Sequence, residues 1–188
     1  MILILARLRG AIDQSGDLTV TNSTISGNSA PSGGGNGGGI WIGGSGQIIN
    51  TTVTNNSAGG GGSASGVFVS GSSPVSVRNS IVAGNSNNTT LPDVVGAGIV
   101  SNGFNLIGNR GSVTFGATGD QSGTASPLNP LLGALQNNGG TTQTHDLLAG
   151  SPALDRGNSS GSNSDQRGRI PKPTQEHSAL HRLTGLRL

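Results

Sequence analysis

An eight-residue phrase written three times is the strongest constraint on this chain. Asn22-Ser23-Thr24-Ile25-Ser26-Gly27-Asn28-Ser29 returns as Asn50-Thr51-Thr52-Val53-Thr54-Asn55-Asn56-Ser57. It returns again as Asn79-Ser80-Ile81-Val82-Ala83-Gly84-Asn85-Ser86, at spacings of 28 and then 29 residues. A second marker keeps step with it: Gly39-Ile40-Trp41-Ile42, Gly66-Val67-Phe68-Val69, then Gly98-Ile99-Val100-Ser101. Self-similarity with a period of about 20 to 50 residues is the signature of a solenoid or another repeat array. Laid over one another, the repeats give columns. Val20, Ile48 and Val77 stack, as do Ile25, Val53 and Val82, and Ile40 with Val67 and Ile99; these are the expected inward rows.

Composition supports a thin core. Only Trp41, Phe68, Phe104 and Phe115 are aromatic, and 31% of residues are hydrophobic. So few large side chains fill a narrow solenoid lined by Ile, Val and Leu more readily than a thick globular interior. The 35 glycines raise disorder as a competing reading. A formal charge of only +2 and periodic Ile/Val positions argue against it.

The polar columns have a structural explanation. Ser23, Thr51 and Ser80 form one row, flanked by Asn22/Asn50/Asn79 and Asn28/Asn56/Asn85. Stacked coils lie about 4.8 Å apart, so side-chain amides can bond from coil to coil. Asn also tolerates the left-handed backbone of a sharp corner. The asparagines are therefore read as ladders or corners, not ligand sites. The glycine runs 33–35, 37–39 and 59–62 are read as flexible corners or protruding loops.

Four parts are expected: a leader or partial coil at 1–16, β-helix coils at 17–115, a loop-rich C-terminal end segment at 116–168, and a disordered tail at 169–188. Within the coils, Asn87–Asp93 reads as a loop and Val113–Phe115 as a further strand. The Pro- and Leu-bearing end segment is expected to cover the last coil. The tail holds Pro171 and Pro173, with Ala179–Leu188 a candidate short helix.

Charge is divided along the chain. Residues 1–166 carry five bases and seven acids, net −2, while residues 167–188 carry five bases against Glu176, net +4. With few aromatics and no basic stripe on the repeats, no nucleic-acid partner is expected. There is no cysteine, hence no disulfide framework. Met1–Ala6 is apolar but too short for a secretory signal, and no run reaches membrane-spanning length.

Several segments now resemble a known family. Leu18–Ala30 with the following glycines is similar to the coils of bacterial right-handed parallel β-helix proteins of the pectate-lyase-like superfold. Further segments resemble the C-terminal region of the choice-of-anchor Q class of large surface or secreted proteins. They are Asn79–Ser86, Gly103–Gly108, Asn129–Gly133 (where the family more often opens with Asp), Leu135–Gly140, Thr142–His145 and Gly150–Asp155. The resemblance covers about residues 17–168. It implies an all-β, right-handed parallel β-helix in an exported or cell-surface protein, with extracellular glycans or cell-surface components as partners. The family normally begins with a signal peptide and many upstream coils. It continues after Asp165–Gly168 into an anchoring segment, whereas this chain departs at Arg169. We therefore expect a fragment, or a reading frame that shifts near Gly168.

Little points to chemistry. Uronate or glycoside chemistry needs clustered acids, and the repeats offer only Asp17 and Asp93, neither of which recurs in a column. Arg78 reads as a solvated surface charge. Gly33–Ile40 lacks the Asp of a calcium-binding nonapeptide. His145, Asp146 and Asp155 form the one titratable constellation, and no serine–base–orienter order is legible around them; a structural role is expected. His177 and His181 share a helical face without a third ligand. Asn-Xaa-Ser/Thr sequons follow from composition. Ice binding through Thr rows is unsupported, since Thr21 aligns with Ile49 and Arg78, and Thr24 with Thr52 and Ile81. No catalytic, cofactor-binding or metal-ligating residue is assigned, and no cofactor is expected. The chain is read as a non-catalytic structural or adhesin-like segment; the alternative is a carbohydrate-binding or polysaccharide-degrading β-helix whose active coils lie elsewhere.

Overall fold

The computed structural model describes residues 10–30, 35–59, 62–85, 92–158 and 164–169. The first coil is β1 (Ile12–Gln14), β2 (Leu18–Thr21) and β3 (Thr24–Ser26). The second is β4 (Ile40–Ile42), β5 (Gly46–Ile49) and β6 (Thr52–Thr54), and the third is β7 (Val67–Val69), β8 (Val75–Arg78) and β9 (Ile81–Val82). The fourth is β10 (Val94–Val95), β11 (Ile99–Ser101) and β12 (Leu106–Asn109), after which β13 (Gln121–Gly123) adds one more strand. A hairpin of β14 (Leu132–Gln136) and β15 (Thr144–Leu147) follows. There is no helix among the described residues.

Corresponding strands of successive coils pair in parallel. They form three sheets, ordered β1-β4-β7-β10, β2-β5-β8-β11 and β3-β6-β9-β12-β13. The molecule is a parallel β-solenoid. Alternation drives it: each strand sends one side chain inward and the next outward, and the inward rows are Ile and Val. Val20 pairs with Ile48 and Ile48 with Val77, while Ile25 pairs with Val53 and Val53 with Val82. All six are buried.

The third expected column holds only in part. Ile40 does pair with Val67, but the next residue in that row is Val94; Ile99 lies in the second sheet, paired with Val75. Nor is Val113–Phe115 a strand. Its backbone leaves a turn closed by Val113 N on Arg110 O (3.0 Å), and Val113 and Phe115 enter the core beside the last coil.

The sharp corner before the third sheet is made by a residue in left-handed conformation in every coil. Asn22, Asn50 and Asn79 have φ of 47°, 51° and 47°, Phe104 takes the fourth position at 58°, and Gly119 the fifth at 76°. Asn and Gly adopt this conformation readily, whereas for Phe it costs about 1–2 kcal/mol. The glycines at 37–39 do not protrude. They are buried between coils, and a Cβ on Gly39 would lie 2.8 Å from Val53 Cγ1 and 3.1 Å from Asn56 Nδ2.

The segment beyond β13 divides in two. Up to Leu128, whose N–H donates to Gly108 O (2.9 Å), it lies along the last coil. Beyond that it turns back as a strap over the outer face of the third sheet. Gln121 Nε2 donates to Pro152 O (2.8 Å), Asn158 N to Asn79 Oδ1 (2.9 Å) and Asn22 Nδ2 to Ser164 O (3.0 Å). The strap thus reaches the first coil instead of only covering the last. Of the expected tail only Arg169 is described, and its N–H donates to Asp165 Oδ1 (3.0 Å).

Replacing Val53 by Asp places an unpaired carboxylate in a fully enclosed row. We expect a loss of about 4 kcal/mol or more in a denaturant titration. A loss below about 1 kcal/mol would contradict the inward assignment.

Candidate functional site

Two groups of polar side chains are built by the coil geometry. The first is an amide ladder inside the corner after the third sheet. Asn28 N and Nδ2 donate to Asn56 Oδ1 (3.0 and 2.9 Å), and Asn56 N and Nδ2 to Asn85 Oδ1 (3.0 and 2.9 Å). Asn85 N and Nδ2 then donate to Asp93 Oδ1 (2.9 and 2.8 Å), and Asn109 N donates to Asp93 Oδ2 (2.7 Å). The ladder ends on a buried carboxylate. A second ladder runs beside it: Thr51 N to Ser80 Oγ (3.2 Å), Ser80 N to Asn105 Oδ1 (3.1 Å), Asn105 N to Asp120 Oδ1 (3.0 Å). It also ends on an aspartate, whose Oδ2 accepts from Ser101 Oγ (2.6 Å) and Ala117 N (3.0 Å).

Asp93 is the one repeat acid with the burial of a candidate general acid, and its bonds show what occupies it. Burial pushes its carboxyl above the usual aspartate value, while the bonds from Asn85 and Asn109 pull the other way. The other repeat acid, Asp17, is exposed and accepts from Ser45 Oγ at 2.6 Å. Arg78, expected in solvent, is half-buried.

The second group lies where the strap crosses the first two coils. His145, on β15, brings Nδ1 to 2.7 Å from Gly133 O and Nε2 to 2.8 Å from Ser26 Oγ. A carbonyl only accepts, so Nδ1 carries a proton; in the neutral ring Nε2 is then bare and accepts from the Ser26 hydroxyl. Around it Thr24 Oγ1 donates to Gln166 Oε1 (2.7 Å), and Gln166 Nε2 to Thr142 Oγ1 (2.9 Å). Arg167 holds Asp165 at 2.7 Å and reaches Asp146 at 3.6 Å. Burial tends to raise the Asp165 carboxyl, but the bonds and charge of Arg167 and the Arg169 N–H outweigh it, and the net shift is downward. Thr24, His145, Asp146, Asp165, Gln166 and Arg167 line a polar cleft with Thr52 and Asn50.

Asp155, expected beside His145 and Asp146, is instead an exposed turn residue with φ 55° and does not line this cleft. Nothing in the sequence places Ser26, Thr24, Gln166 and Arg167 together at a site. Ser26 and His145 are 119 residues apart, and neither Ser26 nor Thr24 differs in kind from its neighbours. A hydroxyl held against an oriented imidazole is the first half of a nucleophile–base pair. It is equally a bond that fastens two distant segments.

Among the described residues, no group of three or more His, Asp or Glu side chains could hold a metal ion. His177 and His181 lie outside the described residues. Among the described residues no helix is long and apolar enough to cross a membrane. Comparison with protein-family models, curated proteins and solved structures finds no match to this chain.

Two outcomes are expected. His145→Ala removes both strap bonds and should cost about 1–3 kcal/mol by denaturant unfolding, because Ser26 and Gly133 lose a part-buried partner. For Asp93, a folded value above the unfolded one means that its contribution is complete below about pH 4 and is lost as pH rises through the folded value. The stability of the parent chain relative to Asp93→Asn should therefore be greater at pH 4 than at pH 7. Melting curves of both proteins across that range check it, and a difference that grows towards pH 7 would contradict it.

Proposed function

We propose that this chain is a non-catalytic structural or adhesin-like segment of an exported or cell-surface bacterial β-helix protein. On this reading the coil is right-handed, of the pectate-lyase-like kind, and its end belongs to the choice-of-anchor Q type. The observation that carries the proposal is the fate of the recurrent polar residues. Asn28, Asn56 and Asn85, with Thr51, Ser80 and Asn105, are consumed in ladders between coils, and Asp93 and Asp120 finish them. Side chains committed in this way stiffen a rod and are not offered to a substrate.

The segments on which the resemblance rests support the same reading. Gly103–Gly108 forms a corner and the start of β12; Asn129–Gly133, Leu135–Gly140 and Thr142–His145 supply the strap hairpin and its flanks. Gly150–Asp155 turns the strap, with Ser151 Oγ donating to Pro130 O at 2.6 Å. A rod closed along one side is suited to hold or display something at the cell surface, with extracellular glycans or cell-surface components as its partners.

The test is direct. Purified chain is incubated with uronate-rich and neutral polysaccharides, with and without Ca²⁺, and new reducing ends and unsaturated products are followed. A fluorophosphonate probe is applied in parallel, and intact mass is read. No product and no adduct are expected. Product formation lost in Asp93→Asn, or an adduct on Ser26 lost in His145→Gln, would overturn the proposal.

A further inference from the structure

Where the strap crosses the fourth coil, it leaves a half-enclosed cavity of about 120 Å³ against the third sheet. Its apolar wall is Ile81, Phe104 and Leu106 on the coil side, with Leu147 and Ala153 on the strap side. The polar groups around it are largely spent. Asn79 Nδ2 donates to Asn50 Oδ1 (2.7 Å) and its Oδ1 accepts from Asn158 N. Ser80 Oγ donates to Arg78 O (2.7 Å) and Gln121 Nε2 to Pro152 O. A water there would find few of the partners it needs, so the space is suited to an apolar occupant.

Two further features converge on it. Phe104 occupies a corner position where the first three coils have Asn, at φ 58°, and Gly119 beneath it leaves room: a Cβ there would lie 2.9 Å from Phe104 Cε1. Strain of this kind in a bulky residue is concentrated where a surface is shaped for a purpose. At the rim stands Arg156, which is exposed and has no ion pair among the described residues.

We propose that this cavity binds a small aromatic or branched carboxylate, with its apolar body against Phe104, Leu106 and Leu147 and its anionic end at Arg156. The size allows at most a single ring, since an apolar protein cavity of about 150 Å³ accommodates benzene and this one is smaller but open at its rim. The charge at the rim selects an anion over a neutral or cationic molecule of the same shape. Binding joins the strap to the coil and stabilises the folded chain.

Benzoate, benzyl alcohol and benzylammonium serve as probes on the full chain, read by melting temperature and by amide chemical shifts. Benzoate should raise the melting temperature and shift amides of Phe104, Leu106 and Leu147, with the alcohol weaker and the cation without effect. Arg156→Gln should weaken benzoate by roughly tenfold while retaining the parent melting temperature. Ala153→Leu, which fills the cavity from the strap, should abolish the response in a folded protein. The absence of any benzoate response at millimolar concentration would overturn the assignment and leave a packing void. An equal response to benzylammonium, or a response unaltered in Ala153→Leu, would do so too.

Discussion

A parallel coil has to turn sharply three times per circuit, and at the two corners flanking the third sheet the N–H groups of Asn28, Asn56 and Asn85 and of Thr51, Ser80 and Asn105 are met by side chains of the next coil. These are the side-chain ladders. Asn56 and Asn85 each accept with the side-chain oxygen from the coil before and donate to the coil after, so one residue satisfies its own corner and its neighbour's, while Asn28 starts the row as a donor. The spare amide proton is used as well: Asn56 Nδ2 also reaches Ile25 O and Thr54 O, both at 2.9 Å. Aligned bonds of this type polarise one another in a low-dielectric interior. The inward Ile/Val rows supply the driving force, but the ladders fix which residue sits above which. They set the register, and register places everything else.

The same constraint accounts for the strap. A repeat stack held only by neighbour-to-neighbour contacts frays from its ends, because each coil is coupled to the next and to nothing beyond it. The segment after β13 touches the fifth coil position through Gln121, the third through Asn79 and the first through Asn22, Thr24 and Ser26. Coils that are strangers in the stack become partners through it. It is fixed at its end by a charged turn, Asp165 with Arg167 and Arg169, and within the hairpin by the imidazole of His145.

How much of this was legible depends on whether the pattern was periodic. Val20/Ile48/Val77 and Ile25/Val53/Val82 recur at constant spacing with constant chemistry, so their stacking could be read directly. The Ile99 assignment failed for a physical reason. It followed a Gly-Ile marker, but in the fourth coil the glycine position is taken by Asp93, so the marker vanished where the row continued through Val94. The ends of the ladders, Asp93 and Asp120, occur once each and leave no column to see. The strap contacts to the first coil join residues more than a hundred positions apart, with ordinary Ser, Thr and Asn on the coil side. Nothing local distinguishes Ser26 from Ser29.

That exchange of glycine for aspartate also explains why the ladder stops where it does. In the second and third coils the residue before the first strand is Gly39 or Gly66, and a side chain there would strike the ladder amide: a Cβ on Gly66 would lie 2.8 Å from Asn85 Nδ2. Glycine is therefore the residue that leaves room for the next asparagine. The fourth coil brings no asparagine into that place, and the side chain of residue 93 enters it instead. What the ladder presents at this end is only N–H groups, the positive end of a row of aligned dipoles. An amide would satisfy them with one atom and oppose Asn109 N–H with the other, whereas a carboxylate accepts on both sides. The situation parallels an anion at a helix N-terminus. Burial still acts against the charge, so the bonds from Asn85 and Asn109 only partly offset its cost. Asp120 ends the second ladder in the same way, with both oxygens accepting. Two independent rows finish on the same chemistry at the same end of the stack, and that makes the closing carboxylate a rule of this coil.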